Sequence, residues 1–341
     1  MARSGDQAQT DTGRAQAHLI IRHYVNKQTA VVSLWYLLLF PLALVLAPFV
    51  AEAFRRPIHK RTLKNAPGAV ARLVSGNTHY KWTGPENAPI AVCIHGLSTP
   101  SYIFAATEQS LIARGYRVLT YDLYGRGYSA RPGGAQNEAF FLAQLRALLA
   151  DQKIDEPFVL LGFSMGGQIA AAYAARHFAQ VDQLVLVAPA GLSPVSGHRY
   201  SRLWTAPWVG GWMARVCGGW ALRKELIGQR DIATVIPDLE LRQASETRTR
   251  GFLPALLSSR RHLLSQTAED HHKKIYEHGT PVLAIWAAKD PVIPLSAMGL
   301  LAKLNPNAQH VQVPGAGHNV LQTHPAQVSE ALRAFLDEGA D

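Results

Sequence analysis

The stretch Leu160-Leu161-Gly162-Phe163-Ser164-Met165-Gly166-Gly167 constrains the fold of this chain more than any other. The apolar run before it, residues 157–161, reads as a buried strand, and the Ala-rich run after it, residues 168–175, reads as a helix. Between them lies G-x-S-x-G, with Ser164 at its centre. A chain that passes from strand to helix so abruptly puts the serine on a tight elbow, in a strained backbone conformation that exposes its hydroxyl. A side chain at Gly162 or Gly166 would crowd that turn. The helix that follows aims unpaired N–H groups at the same spot, where they can stabilise an anion. Gly and Ser are common in ordinary loops, so the pentapeptide gains its meaning only from this setting and from the rest of the chain.

The flanking sequence supplies that setting. A hairpin is expected over residues 69–75 and 78–83, split by Gly76-Asn77, and a central strand over residues 90–94 that ends in His95-Gly96-Leu97-Ser98-Thr99-Pro100. A helix over 102–114, capped by Gly115, leads to a strand over 116–121 and the turn-rich Asp122-Leu123-Tyr124-Gly125-Arg126-Gly127-Tyr128-Ser129. A helix over 136–149, the elbow strand and a strand over 183–188 follow. Strands return at 281–288, before Lys289-Asp290-Pro291-Val292-Ile293-Pro294, and at 309–313, before Pro314-Gly315-Ala316-Gly317-His318-Asn319; a helix over 325–336 closes the chain. This alternation predicts an α/β fold with a doubly wound, mostly parallel sheet. In such a sheet the loops at the carboxyl ends of the strands form the site.

Residues 191–278 break the alternation. They are helical in pattern and basic, and they hold Trp204, Trp208, Trp212 and Trp220, four of the seven tryptophans. The segment reads as a helical lid inserted over the sheet edge. Spacing of four puts the first three tryptophans on one helix face, although Pro207 and Gly210-Gly211 interrupt it. They serve as lid core, as an apolar acyl pocket or as a membrane contact.

At the other end, no charge falls between Lys27 and Glu52, and residues 31–50 are almost wholly apolar. That length matches a bilayer core, Pro41 is tolerable in a membrane helix, and Trp35 and Tyr36 sit where amphipathic rings favour an interface. A secretory signal would be shorter and nearer the start, despite Ala51-Glu52-Ala53, and a buried soluble helix is seldom so uniformly apolar. Residues 28–54 are therefore read as a single-pass transmembrane anchor, residues 1–27 as a disordered N-terminus, and residues 55–68 as a basic linker that attracts anionic lipid. Arg14, Arg22 and Lys27 on one side against Arg55, Arg56, Lys60, Arg61 and Lys64 on the other place the C-terminal domain in the cytoplasm. The net charge of +10 raises the question of nucleic acid, but no zinc-finger spacing, RNA-binding aromatic motif or long basic block is present, and nucleic acid is not expected as a partner. The two cysteines, Cys93 and Cys217, imply no disulfide framework.

Ser164, Asp290 and His318 fall on three strand-end loops of one sheet edge, in the order Ser, Asp, His. A serine hydroxyl needs an imidazole to take its proton, and the imidazole needs a carboxylate to hold its tautomer. His95, ending a buried strand, reads as a hydrogen-bonded structural residue, and Asp122 as a tie between loops. Residues 69–338 resemble the α/β-hydrolase superfamily in its lid-bearing branch. The resemblance rests on His95-Gly96-Leu97, the D-x-x-G-x-G-x-S loop from Asp122, Gly162-Phe163-Ser164-Met165-Gly166-Gly167, Asp290-Pro291-Val292-Ile293-Pro294 and Gly315-Ala316-Gly317-His318. It implies a core of residues 69–190 and 279–341 and a lid of 191–278. It also implies Ser164 as nucleophile, His318 as base, Asp290 as orienting acid, and Leu97 and Met165 as the oxyanion donors. Members with an aspartate nucleophile, the epoxide hydrolases and dehalogenases, are set aside by Ser164.

The expected activity is a membrane-anchored serine hydrolase that cleaves lipid-like or small acyl esters through an acyl-enzyme. Such chemistry needs no cofactor and no metal. An aminopeptidase or amidase, with Glu225 or Glu246 binding a free amine, and a carbon–carbon bond hydrolase are the alternatives; a non-catalytic binding module would lack a triad member. The oligomeric state is not legible from the residues.

Overall fold

The computed structural model describes residues 5–58, 63–64, 66–193, 201–227 and 233–338. Parts of the linker and lid readings (59–62, 65, 194–200 and 228–232) thus lie outside the described residues. The chain forms two units, residues 1–51 and residues 52–341.

The described residues of the first unit lie within one helix, α1 (Gly5–Ala53). Its apolar part, Trp35–Ala53, has a mean hydropathy of 2.0 and is long and apolar enough to cross a membrane. The helix corrects the reading of residues 1–27 as disordered, since it runs from Gly5. Low hydrophobicity argued for disorder there, but Ala, Gln and Arg are good helix formers whatever their polarity, and no proline precedes Pro41.

The second unit is built on an eight-stranded sheet in the order β1-β2-β4-β3-β5-β6-β7-β8. The strands are β1 (Ala69–Leu73), β2 (Gly76–Thr83), β3 (Ile90–Ile94), β4 (Arg117–Tyr121), β5 (Phe158–Phe163), β6 (Val181–Val187), β7 (Val282–Ala287) and β8 (Gln309–Val313). Only the β1–β2 and β2–β4 pairs are antiparallel. Leu73 pairs with Gly76, so the hairpin turns at Val74-Ser75, immediately before the expected Gly76-Asn77.

Period-two alternation sorts the central strands onto two cores. Val92, Ile94, Leu160, Leu184 and Leu186 join one buried cluster, while Ala91, Cys93, Leu161, Val185 and Val187 join the other. Each buried Val, Leu or Ile contributes about 1.5–3 kcal/mol of transfer free energy. The first cluster is covered by helices α3 (Glu138–Asp151), α4 (Met165–Ala174) and α11 (Ser296–Leu304); the second by α2 (Ala105–Ile112), α12 (Val320–Thr323) and α13 (Pro325–Glu338). A doubly wound sheet is the result, as the alternation predicts.

Between β6 and β7 the described chain is helical: α5 (Ser201–Thr205), α6 (Val209–Met213), α7 (Gly219–Ile227), α8 (Leu239–Glu246), α9 (Phe252–Arg261) and α10 (Glu269–Glu277). The tryptophans do not share one helix face. Pro207 lies between α5 and α6, and Trp208 sits at φ 59° outside both, 91% exposed.

Candidate active site

The elbow strand β5 ends at Phe163, and α4 begins at Met165. Ser164 between them has φ 53° and ψ −119°, a conformation that side-chain-bearing residues rarely hold. It is fixed from both sides: Ser164 N–H donates to Val187 C=O at 2.9 Å, and its C=O accepts from Ala190 N–H at 3.0 Å. A Cβ on Gly166 would lie 2.0 Å from Ile94 C=O, so only glycine lets α4 start against the end of β3. A Cβ on Gly96 would lie 3.3 Å from Ser164 Cβ, which places the loop after β3 directly against the serine.

Around Ser164 the structure brings together the other two candidates. Ser164 Oγ lies 2.9 Å from His318 Nε2, and His318 Nδ1 lies 2.8 Å from Asp290 Oδ2. A carboxylate can only accept, so Nδ1 carries the proton and Nε2 is left to accept from the serine hydroxyl. Asp290 is itself fixed, its Oδ1 accepting from Val292 N–H at 2.7 Å and Ile293 N–H at 2.9 Å. The Asp290 side chain is 1% exposed and that of His318 20%, so the relay is shielded but reachable. Phe163 packs against the imidazole, ring centroids 5.3 Å apart. Met165 is the first residue of α4, where a backbone N–H has no intrahelical partner, and Leu97 directly follows Gly96.

His95 takes no part in this relay. Its Nδ1 donates to Gly96 C=O at 2.8 Å and its Nε2 accepts from Leu123 N–H at 2.9 Å. Burial pulls its pKa down to about 4, against the opposing charge of Asp122, so it stays neutral. Asp122 ties loops, accepting from Ser101 N–H (2.9 Å), Ser101 Oγ (2.6 Å), Tyr128 N–H (2.9 Å) and His79 Nδ1 (2.8 Å). Burial alone would raise its carboxyl, but hydrogen bonding and charge from His79, with His95 and Ser101, hold it at about 2. Among the described residues no group of three or more His, Cys, Asp or Glu is placed to hold a metal ion.

Arg126 is a residue the sequence reading passed over. It is fully buried, and its Nε donates to Leu97 C=O at 2.9 Å, Nη1 to Tyr124 C=O at 2.8 Å, and Nη2 to Ser259 Oγ on α9 at 2.7 Å. Burial and the Arg131 charge lower its pKa to about 9, against the pull of Glu246. It joins the loop beside Ser164 to the inserted helices. No local signal marks it, because its burial depends on Ser259, 133 residues further along the chain.

The insert meets the same loops elsewhere. Gln243 Nε2 donates to Thr99 Oγ1 at 2.8 Å, and Leu97 packs on the Phe252, Leu253 and Leu256 cluster. Glu246 accepts from Gly127 N–H at 3.0 Å. Burial lifts the Glu246 pKa to about 7, with Arg131 opposing and Asp122 adding to the rise. The unfolded chain ionises this carboxyl near 4.5, so folding is opposed progressively above that pH and fully above 7, by about 3 kcal/mol at 1.36 kcal/mol per unit. Glu246→Gln is therefore expected to leave stability unchanged at pH 5 and to raise it by about 1–3 kcal/mol at pH 8, measured by thermal unfolding at the two pH values.

The sequence matches the alpha/beta hydrolase fold family over residues 89–325. Over 132 residues it is 35% identical to a probable 1-acylglycerol-3-phosphate O-acyltransferase of Oryza sativa subsp. japonica, a match spanning 37% of this chain and about a third (31%) of that relative's length. A pimeloyl-[acyl-carrier protein] methyl ester esterase of Xanthomonas axonopodis pv. citri is 27% identical over 257 residues, 73% of this chain and 96% of the relative. Among solved structures, a membrane phospholipase A described as a bacterial virulence factor superposes with a TM-score of 0.63 at 21% identity, over 95% of this chain and 99% of that one.

Proposed function

The chain belongs to the alpha/beta hydrolase fold family, and from that premise we propose that it is a membrane-anchored serine ester hydrolase acting through an acyl-enzyme. The hydrogen-bonded chain from Ser164 Oγ through His318 to Asp290 carries this reading. Ser164 Oγ attacks the ester carbonyl carbon while His318 Nε2 takes its proton. Asp290 holds the ring tautomer and stabilises the imidazolium. The tetrahedral oxyanion is held by the N–H groups of Leu97 and Met165. Collapse expels the alcohol, which takes the proton from His318, and leaves the acyl group on Ser164. Water, deprotonated by His318, then attacks the acyl-enzyme; the acid leaves and Ser164 regains its proton.

An ester is favoured over an amide with a free amine. Glu246 is engaged by Gly127 N–H and is half protonated near neutral pH, so it is poorly suited to hold an ammonium group. The esterase relative acts, by its name, on a methyl ester. In this reading residues 191–278 are a lid over a core of 69–190 and 279–341, residues 28–54 are the anchor, and 55–68 link the two on the cytoplasmic side. The exposed Trp208 and Trp220, 91% and 63%, give the lid an apolar surface that suits lipid-like substrates.

The full chain in detergent, offered p-nitrophenyl esters from acetate to palmitate beside an aminoacyl p-nitroanilide, tests the substrate class. Ester turnover rising with chain length, with the protein in a carbonate-washed membrane pellet, is expected. Anilide turnover without ester turnover, or release by carbonate, would contradict it.

A further inference from the structure

On the far side of α9 from Leu97 lies a cavity of about 360 Å³. Helix periodicity separates the two faces: Leu253 and Leu256 turn toward Leu97, while Pro254, Ser258 and Arg261 line the cavity. Arg131, Arg215 and His262 join Arg261 in its wall, no carboxylate does among the described residues, and none of Ser164, Asp290 and His318 is part of it. We propose that this arginine-lined cavity between the 131–136 loop and the inserted helices is a binding site for a phosphate group.

Three guanidinium groups facing one space repel each other, and the protein holds them there with neutral carbonyls. Arg131 Nη2 donates to Gly127 C=O at 2.8 Å, Arg261 Nε to Thr205 C=O at 2.9 Å, and Arg215 Nη1 to Gly211 C=O at 3.1 Å. Carbonyls fix the geometry without cancelling the charge, and Arg131 Nε is buried with no hydrogen-bond partner. The carboxylates that act on Arg131 are already engaged: Glu246 accepts from Gly127 N–H, and Asp122 accepts from Ser101, Tyr128 and His79. Glu52 pairs with Arg55 and accepts from Gly251 N–H. Fixed guanidinium groups with spare N–H donors match the charge and geometry of a phosphate. The volume admits more than a bare ion.

The cavity adjoins the segment where the chain leaves its apolar run. Arg55 Nη2 donates to Arg215 C=O, Arg56 N–H donates to Arg248 C=O at 2.9 Å, and Arg250 N–H donates to Arg56 C=O at 2.9 Å. With residues 28–54 as an anchor, residues 52–56 emerge at headgroup level, so a phospholipid headgroup is one source of the phosphate and a soluble phosphate ester is the other. The site stands whether or not the catalytic reading does.

Thermal unfolding of the full chain in phosphate-free nonionic detergent tests it. Inorganic phosphate is compared with chloride at equal ionic strength, and micelles doped with phosphatidylglycerol with micelles doped with a phosphate-free glycolipid. At ten times the dissociation constant, a rise in Tm of about 2–4 °C is expected. It should be lost in Arg215→Gln and Arg261→Gln, with an unchanged far-UV circular dichroism spectrum and a cooperative unfolding transition as the control for folding. A rise with inorganic phosphate indicates a site open to soluble phosphate; a rise with phosphatidylglycerol alone indicates the headgroup. Should the variants fail to fold, modification of the wild-type chain by phenylglyoxal decides: phosphate or phosphatidylglycerol should protect the peptides of Arg131, Arg215 and Arg261. No rise with either additive, an undiminished rise in folded variants, or no protection overturns the proposal.

Discussion

Ser164→Ala is expected to lower kcat for ester hydrolysis by a factor on the order of 10⁴–10⁶, with KM little changed. Oγ is the atom that 2.9 Å separates from His318 Nε2. His318→Ala should cost about as much, and the double variant no more than either alone, because the pair acts as a unit. Asp290→Asn should lower kcat by a factor on the order of 10⁴. An amide there can donate as well as accept, which allows the imidazole to settle in the wrong tautomer, with its proton on Nε2. Steady-state kinetics on p-nitrophenyl butyrate separate these outcomes. A loss confined to KM would place the residues in binding rather than in chemistry.

The second large effect is on stability. Asp122→Ala is expected to destabilise the second unit by about 3–5 kcal/mol, because it strands His79, two donors of Ser101 and the N–H of Tyr128 in a buried site. For a unit of this size that is a fall in Tm of roughly 10 °C. Activity should fall with it, since the loop from Gly96 to Ser101 loses its tie. The pH dependence has a definite sign. The carboxyl is held at about 2 in the fold against 3.8 in the unfolded chain, so its stabilisation is present above about pH 4 and lost as pH falls to 2. At 1.36 kcal/mol per unit this acid limb amounts to about 2 kcal/mol. His79 acts in the other direction: its pKa is raised because hydrogen bonding and charge from Asp122 outweigh the burial that would lower it. Its contribution is present below its unfolded value and fades as pH rises through the folded one. Asp122→Asn should remove both limbs, which thermal unfolding between pH 2 and 9 would record.

Much of this architecture was legible because its elements are punctuated by local chemistry. Apolar runs bounded by Gly and Pro marked β3, β5 and β7, the Pro314-Gly315 turn marked the end of β8, and the loops that follow these strands carry the residues now found near Ser164. Spacing placed Ser164, Asp290 and His318 at one sheet edge, because successive parallel strands deliver their carboxyl ends to the same side. What was not legible depends on contacts distant in sequence. Arg126 looks like a loop arginine until Ser259, far along the chain, arrives beside it. Glu246 resembled a free lid carboxylate until Gly127 claimed it. The tryptophan spacing promised one face, but Pro207 ended α5 before the pattern could form. Low hydrophobicity in the first residues concealed ordinary helix propensity, and the helix runs from Gly5.

Labelling the full chain with a fluorophosphonate and mapping the adduct by peptide mass spectrometry tests the central claim, that Ser164 is the activated nucleophile. A single adduct on Ser164, suppressed in His318→Ala and absent from Ser164→Ala, is the expected result. An adduct on another residue, or none on a chain that still hydrolyses esters, would contradict it.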